Sequence, residues 1–225
     1  MKKVLLILFA AVLSLGAFAQ NVQTHYDLGK DRSYLTTTVE MFRPDKMGST
    51  FFFIDMDYGV GDVEGVSLAY WEIARAFKLG KSPLAAHIEY NGGFGQWKAG
   101  AAGGAYQIND AWLGGLEYSW NAEDFSRGFT LQAMYKNIRG VENASFQLTG
   151  VWYVNFLKGK MSFTGFADFW KEETAYGDFI FLSEPQLWYN ICDHFSVGGE
   201  VEISNNFGGM EGFNVMPTLA AKWTF

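Results

Sequence analysis

The chain has 225 residues, of which 18% are aromatic, with 26 glycines, 4 prolines and a formal net charge of −7. An acidic balance of this kind argues against nucleic acid as a partner. The single cysteine, Cys192, has no intramolecular disulfide partner and reads as a packed or lipid-facing thiol.

Met1-Lys2-Lys3, an apolar run from Val4 to Leu15 and Gly16-Ala17-Phe18-Ala19 form a secretory signal peptide, with cleavage expected after Ala19. The apolar run is too short for a comfortable transmembrane helix, and no later run reaches the roughly 18 residues such a helix needs. Losing Lys2 and Lys3 with the leader makes the rest more acidic. Residues 20–225 read as one domain without linkers or low-complexity segments.

Gln20 to Asp31 reads as a polar lead-in. From Ser33 onward the chain alternates. Leu35, Thr37, Val39 and Met41 oppose Tyr34, Thr36, Thr38 and Glu40. Phe52, Ile54, Met56 and Tyr58 oppose Phe51, Phe53, Asp55 and Asp57. Val66 to Phe77 is less regular, because Glu72 and Arg75 have opposite parity unless a bulge intervenes. Ala86, Ile88 and Tyr90 oppose His87, Glu89 and Asn91, and a turn is expected at Gly92–Gly95. Gln96 to Ala105 is taken as a separate strand, with a link at Tyr106–Asp110.

Ala111–Trp120, Phe129–Lys136, Ala144–Phe156 and Met161–Trp170 continue the pattern, the last two joined by a tight turn at Leu157–Lys160. In Phe179–Ile191, Glu184, Gln186, Trp188 and Asn190 share one face. Pro185 has no N–H for a ladder and is expected to mark a bulge. Val197–Ser204 and Phe213–Phe225 complete the set. In the last, Phe213, Val215, Leu219, Trp223 and Phe225 line one face, against Asn214, Thr218, Lys222 and Thr224.

One bulky apolar face and one mixed polar face on almost every strand is the inverse of a soluble core. It is what a closed barrel in lipid requires. The prediction is an all-β fold, a single transmembrane antiparallel β-barrel of about 12 strands, an even number as such barrels have. With both termini in the periplasm, links at 43–48, 78–83, 106–110, 138–143, 171–178 and 205–212 fall outside. Those at 59–65, 92–95, 121–128, 157–160 and 192–194 fall on the periplasmic side. All are short, which argues against a large adhesive surface.

A barrel of this size can enclose a narrow lumen. Parity places Phe51, Phe53, Asp55, Asp57, Glu72, His87, Glu89, Gln132, Lys136, Tyr153, Phe166, Asp168, Trp170, Glu184, Gln186 and Trp188 on its wall. Aromatic rings among carboxylates and amides suit a flat, uncharged, hydrogen-bonding solute, and the acidic excess disfavours anions. The same charges can instead pair with one another, as Glu72 with Arg75 or Glu184 with Lys136, and fill a closed structural barrel. An enzyme reading rests on His87 beside Glu89, a base with a neighbouring carboxylate that could act on lipid, but no serine stands in a recognisable nucleophile context. His25 and His194 read as solvated surface residues. No His/Cys cluster has metal-ligand spacing, and no cofactor is expected.

Three segments resemble the Tsx-type nucleoside-specific outer-membrane channels and their relatives: Trp71-Glu72-Ile73-Ala74-Arg75-Ala76-Phe77, His87-Ile88-Glu89-Tyr90-Asn91-Gly92-Gly93 and Glu184-Pro185-Gln186-Leu187-Trp188-Tyr189. The terminal Phe225 also resembles the signal read by the outer-membrane assembly machinery. The resemblance implies a monomeric twelve-stranded barrel that passes nucleosides by diffusion. It adds Arg75 to Glu72, Glu89, Glu184 and Gln186 as lumen residues. The chain is shorter than typical members, and its loops are trimmed.

Overall fold

A strand with one apolar and one polar face is stable only where two different media meet, and a sheet made of such strands must hide its edges. The computed structural model describes residues 19–225 and shows how both demands are met. The signal peptide of the sequence reading lies outside the described residues apart from Ala19. Thirteen strand segments form one antiparallel sheet: β1 (Ala19–Asp27), β2 (Leu35–Pro44), β3 (Gly48–Tyr58), β4 (Val66–Lys78), β5 (Leu84–Ala99), β6 (Ala102–Asn121), β7 (Arg127–Ile138), β8 (Ser145–Phe156), β9 (Met161–Thr174), β10 (Gly177–Ser183), β11 (Gln186–Asn190), β12 (Phe195–Asn205) and β13 (Phe213–Thr224). β13 pairs with β1 from Asn21↔Thr224 to Asp27↔Thr218, which closes the sheet and leaves no edge.

β10 and β11 are two halves of one wall strand, so the barrel has 12 strands. The interruption is at Glu184-Pro185, as the missing N–H of proline requires. It is not the bulge expected from the sequence. Both halves keep one register against β9 (Ser183↔Ala167, then Gln186↔Thr164) and one against β12 (Ser183↔Ile203, then Gln186↔Glu200). Glu184 therefore keeps the inward parity of Gln186 and Trp188.

The strand number matches the sequence reading through two compensating differences. The polar lead-in is a strand, β1. Gln96–Ala105 is no separate strand: it is the tip of the long β5–β6 hairpin, which turns at 100–101, so no links stand at 92–95 or 106–110. The sides of the early loops change accordingly. Turns at 45–47, 79–83, 122–126, 157–160 and 191–194 lie at the end that carries both termini, here the terminal rim. Connections at 28–34, 59–65, 100–101, 139–144, 175–176 and 206–212 lie at the far rim.

The outer surface carries Ile73, Ile88, Leu116, Leu131, Leu148, Phe169, Leu187 and Leu219, all exposed in the isolated chain. This is the apolar belt of a lipid-facing barrel, with Trp112, Trp120, Tyr118, Phe129 and Trp223 among its aromatics. No helix among the described residues is long and apolar enough to cross a membrane. Cys192 sits exposed in the 191–194 turn, not packed against the barrel.

Arg75 falls on the outer face. It pairs with Thr50 in the β3–β4 register, and the bulge in this pair lies at Asp57/Tyr58, too far along to reverse its parity relative to Glu72. Its guanidinium reaches the terminal rim and grips both carboxylate oxygens of Asp45, at 2.7 and 2.9 Å. Those hydrogen bonds, with the backbone N–H groups of Met47 and Gly48, hold the Asp45 carboxyl well below the usual carboxylate range. A depressed carboxyl stabilises the fold above its unfolded value of about 3.9 and stops doing so as pH falls through the lower folded value. The stability difference between wild type and Asp45→Asn is therefore expected to stay constant from pH 8 to 5 and to shrink in more acidic solution. Denaturant titrations of both proteins across that range check it; a difference that grows on acidification contradicts it.

Candidate functional site: the barrel interior

Of the twelve residues proposed from parity or from the resemblance to line the solute path, ten lie on the inner face by register: Phe51, Phe53, Asp55, Glu72, His87, Glu89, Asp168, Trp170, Gln186 and Trp188. Glu184 joins them by the continuous register across Pro185. Arg75 does not. Neither ion pair suggested by the sequence forms. Glu72 instead accepts from the Tyr70 hydroxyl at 2.8 Å. Lys136 donates to Gln147 at 2.8 Å and lies 4.4 Å over the Trp170 ring.

β1 adds inner-face residues that the sequence reading missed: Asn21, Gln23, His25 and Asp27. His25, read there as a solvated surface residue, is 2% exposed. Its Nδ1 lies 2.9 Å from Thr218 Oγ1 and its Nε2 lies 3.0 Å from Gln23 Oε1. The period-2 signal is present in Gln23/His25/Asp27 against Val22/Thr24/Tyr26. It was weak because the outward set carries little apolar bulk. β2 contributes Glu40 and Phe42, β12 Glu200 and Glu202, and β13 Lys222.

The interior differs along its length. Toward the far rim it is packed with apolar side chains. Ala111, Leu113, Met134 and Ile138 form one cluster, closed by Val141 from the 139–144 loop. Trp170, Ile180 and Leu182 form another, joined by Phe166 and by Phe207 from the 206–212 loop. Arg32, also from a far-rim loop, reaches inward to Asp27 (3.2 Å) and Glu202 (2.9 Å).

The middle carries the charge. His87 is held between two carboxylates, with Nδ1 2.9 Å from Glu117 Oε2 and Nε2 3.0 Å from Glu89 Oε2. Asp55 accepts from Thr38, Asp168 from Thr149, Glu40 from Asn21 and Glu200 from Gln186. Groups on opposite walls are close enough to interact: Glu72 on β4 with Asp168 on β9, and Glu184 with Asp55 on β3.

Toward the terminal rim the inner face opens. Phe42 and Val151 both face inward, yet are 45% and 40% exposed. From Phe42 a line of rings runs inward. Phe42 pairs with Phe51, whose ring lies 6.0 Å from Phe53, and Phe53 lies 6.0 Å from Tyr70. Glu40 pairs with Phe53, Phe53 with Glu72 and Asp55 with Tyr70, so Phe53 and Tyr70 each have a carboxylate beside them.

A closed twelve-stranded antiparallel barrel with an apolar outside and an acidic, aromatic inside is of the outer-membrane transmembrane type. Within that class the chain belongs to the family described as a domain of unknown function, DUF5020, which matches residues 19–225. No curated protein matches the chain. Among solved structures it is similar to the NanC porin, with a TM-score of 0.59 and 10% identity over 92% of this chain and 100% of that one. It is also similar to the KdgM porin, with a TM-score of 0.51 and 10% identity over 92% and 99%. The KdgM porin is also known in complex with disordered oligogalacturonate. At this identity the likeness is one of fold. It agrees with the outer-membrane barrel that the Tsx resemblance implied, while the nucleoside part of that resemblance rests on lumen chemistry.

Proposed function

We propose that this protein is an outer-membrane channel for passive passage of small, flat, uncharged or cationic solutes, with nucleosides as the first candidates. The observation that carries the reading is the Phe42–Phe51–Phe53–Tyr70 ladder, which starts at the solvent-open terminal rim and is flanked by Glu40, Asp55 and Glu72. Rings offer stacking faces and carboxylates take N–H and O–H edges, the complement of a base joined to a sugar. An oligogalacturonate, a chain of uronate anions, would meet repulsion from these carboxylates, so the ligand recorded for KdgM does not transfer. Lys136 and Lys222 each lie over a tryptophan ring, Trp170 and Trp188, and offset only part of the acidic charge.

Planar-bilayer recording of the refolded mature protein tests this. Small, cation-preferring conductance steps that fall saturably as nucleoside is added support it. Base–aromatic stacking contributes about 1–3 kcal/mol per ring, so Phe53→Ala is expected to weaken that block about tenfold. No conductance from protein shown to be folded and inserted sinks the channel reading.

A second reading is a closed structural barrel. It is favoured by the apolar packing of the far half and by the full burial of Trp188 and Leu113. Silent but inserted barrels are its expected signature. An enzyme acting on lipid has less support, because both ring nitrogens of His87 already face carboxylates.

A further inference from the structure

We infer that the outer wall carries a binding site for one anionic phospholipid, with its head at the terminal rim and a tail in a diagonal groove across β5–β10. The inference rests on the membrane placement proposed above and not on solute passage.

The groove encloses about 590 Å³ on the lipid-facing side. Its floor is made by small outward residues, Ala133, Gly150 and Ala167, and its sides by large apolar ones such as Leu131, Leu148 and Phe169. Its direction follows from the register. Leu84 pairs with Tyr118, Tyr118 with Leu131, Leu131 with Gly150 and Gly150 with Ala167. Leu84 is the first residue of β5 and lies at the terminal rim, whereas Ala167 lies well inside β9, which starts at that rim with Met161. The groove thus climbs from the rim into the apolar belt. Five strand spacings of about 4.8 Å give a length of about 24 Å. One acyl chain fills half of a hydrocarbon core roughly 30 Å thick, so the groove can take such a chain lying obliquely.

Two exposed cations flank the rim end of the groove. The 79–83 turn brings exposed Lys81 beside β6, where the Pro83 carbonyl accepts from Ser119 N–H at 3.1 Å. On the other side, exposed Arg127 precedes Phe129 and Leu131 on the outward face of β7. Between them Tyr118, Trp120 and Phe129 pack together, with ring centroids 6.1 and 5.7 Å apart, at the depth where aromatic belts meet headgroups. Lys46, Lys78, Lys158 and Lys160 also lie at this rim, with Asp45 and Asp193; Glu123 and Asp124 stand in the turn just before Arg127, and Asp124 is close enough to interact with it. An apolar groove that ends between two cations, with an aromatic shelf at the junction, is complementary to an anionic amphiphile rather than to a zwitterionic or purely apolar one.

Native mass spectrometry of the folded mature barrel, offered equal phosphatidylglycerol and phosphatidylcholine in detergent, reads this directly. Wild type is expected to retain one phosphatidylglycerol with at least about a tenfold preference. Lys81→Gln with Arg127→Gln should remove the preference while leaving weak binding of both lipids. Gly150→Leu with Ala167→Leu fills the groove and should lower binding of both. The Gly150 change is sterically mild, since a Cβ there would meet only Leu131 Cδ2 at 3.7 Å. Equal retention of the two lipids by wild type overturns the site, as does unchanged preference in the charge-removed variant, whose surface substitutions do not threaten folding. A vesicle flotation assay separates the two levels: a barrel that fails to float with any bilayer sinks the membrane placement as well, and one that floats without lipid preference sinks only the site.

Discussion

Trp188→Ala is expected to destabilise the barrel by about 3–5 kcal/mol, the usual cost of removing a buried indole. Trp188 is 0% exposed, although it stands on the inner face of a barrel that could have been full of water. Its ring lies under the Lys222 ammonium at 4.1 Å and edge-on to His25 at 6.0 Å, and its N–H donates to Gln186 Oε1 at 3.0 Å. Opposite it on β12 stands Gly198, where a Cβ would come within 2.0 Å of the Leu187 carbonyl oxygen; only glycine permits that approach. Truncation therefore removes packing, a cation–π contact and the partner of a half-buried amide together. Denaturant unfolding in detergent or liposomes measures the loss, with Trp188→Phe retaining much of the stability. A cost below about 1 kcal/mol would mean that water already bathes the indole and that its burial is incorrect. If the channel reading holds, the alanine variant should also conduct more than wild type.

His87→Ala is expected to cost about as much, roughly 3–5 kcal/mol, for a different reason: it leaves buried charge without its partner. The imidazole separates Glu89 and Glu117, and the side chains of the three are 3%, 8% and 12% exposed. Removing the ring exposes the two carboxylates to each other in a region of low dielectric. Adding Glu89→Gln to His87→Ala should restore part of the stability, because one of the stranded charges is then gone. Urea titrations of the single and double variants decide this. A double variant no more stable than His87→Ala would assign the loss to lost packing instead. The same single variant bears on the enzyme alternative, which requires lipid hydrolysis by wild type and its abolition in His87→Ala.

The alternation that reveals the barrel is strongest where the outward residues are large. Ala144–Phe156 and Phe213–Phe225 therefore read clearly, and their inner faces are as expected. It fails where both faces are small or polar. β1, with Thr24 and Val22 outward, read as a lead-in, and the Gly/Ala-rich stretch around 96–105 read as a strand of its own when it is the tip of a hairpin. Arg75 shows a different limit. A motif resemblance placed it in the lumen, and strict parity placed it outside. Parity prevailed because a bulge is needed to reverse it and the only register shift between β3 and β4 comes later, at Asp57/Tyr58.

Local alternation was enough to predict a barrel with an apolar outside and to say which residues of most strands point inward, because side-chain direction in a strand is a local consequence of period 2. Which inward residues of different strands meet follows only from the closed barrel. The approach of Glu117 to His87, the Trp188–Lys222–His25 contact and the inward turn of Phe207 all join residues distant in the chain, and their meeting depends on strand register, on loop paths and on closure of β13 against β1. The groove on the outer wall is likewise invisible along the chain. Ala133, Gly150 and Ala167 become one floor only when register lays three strands side by side.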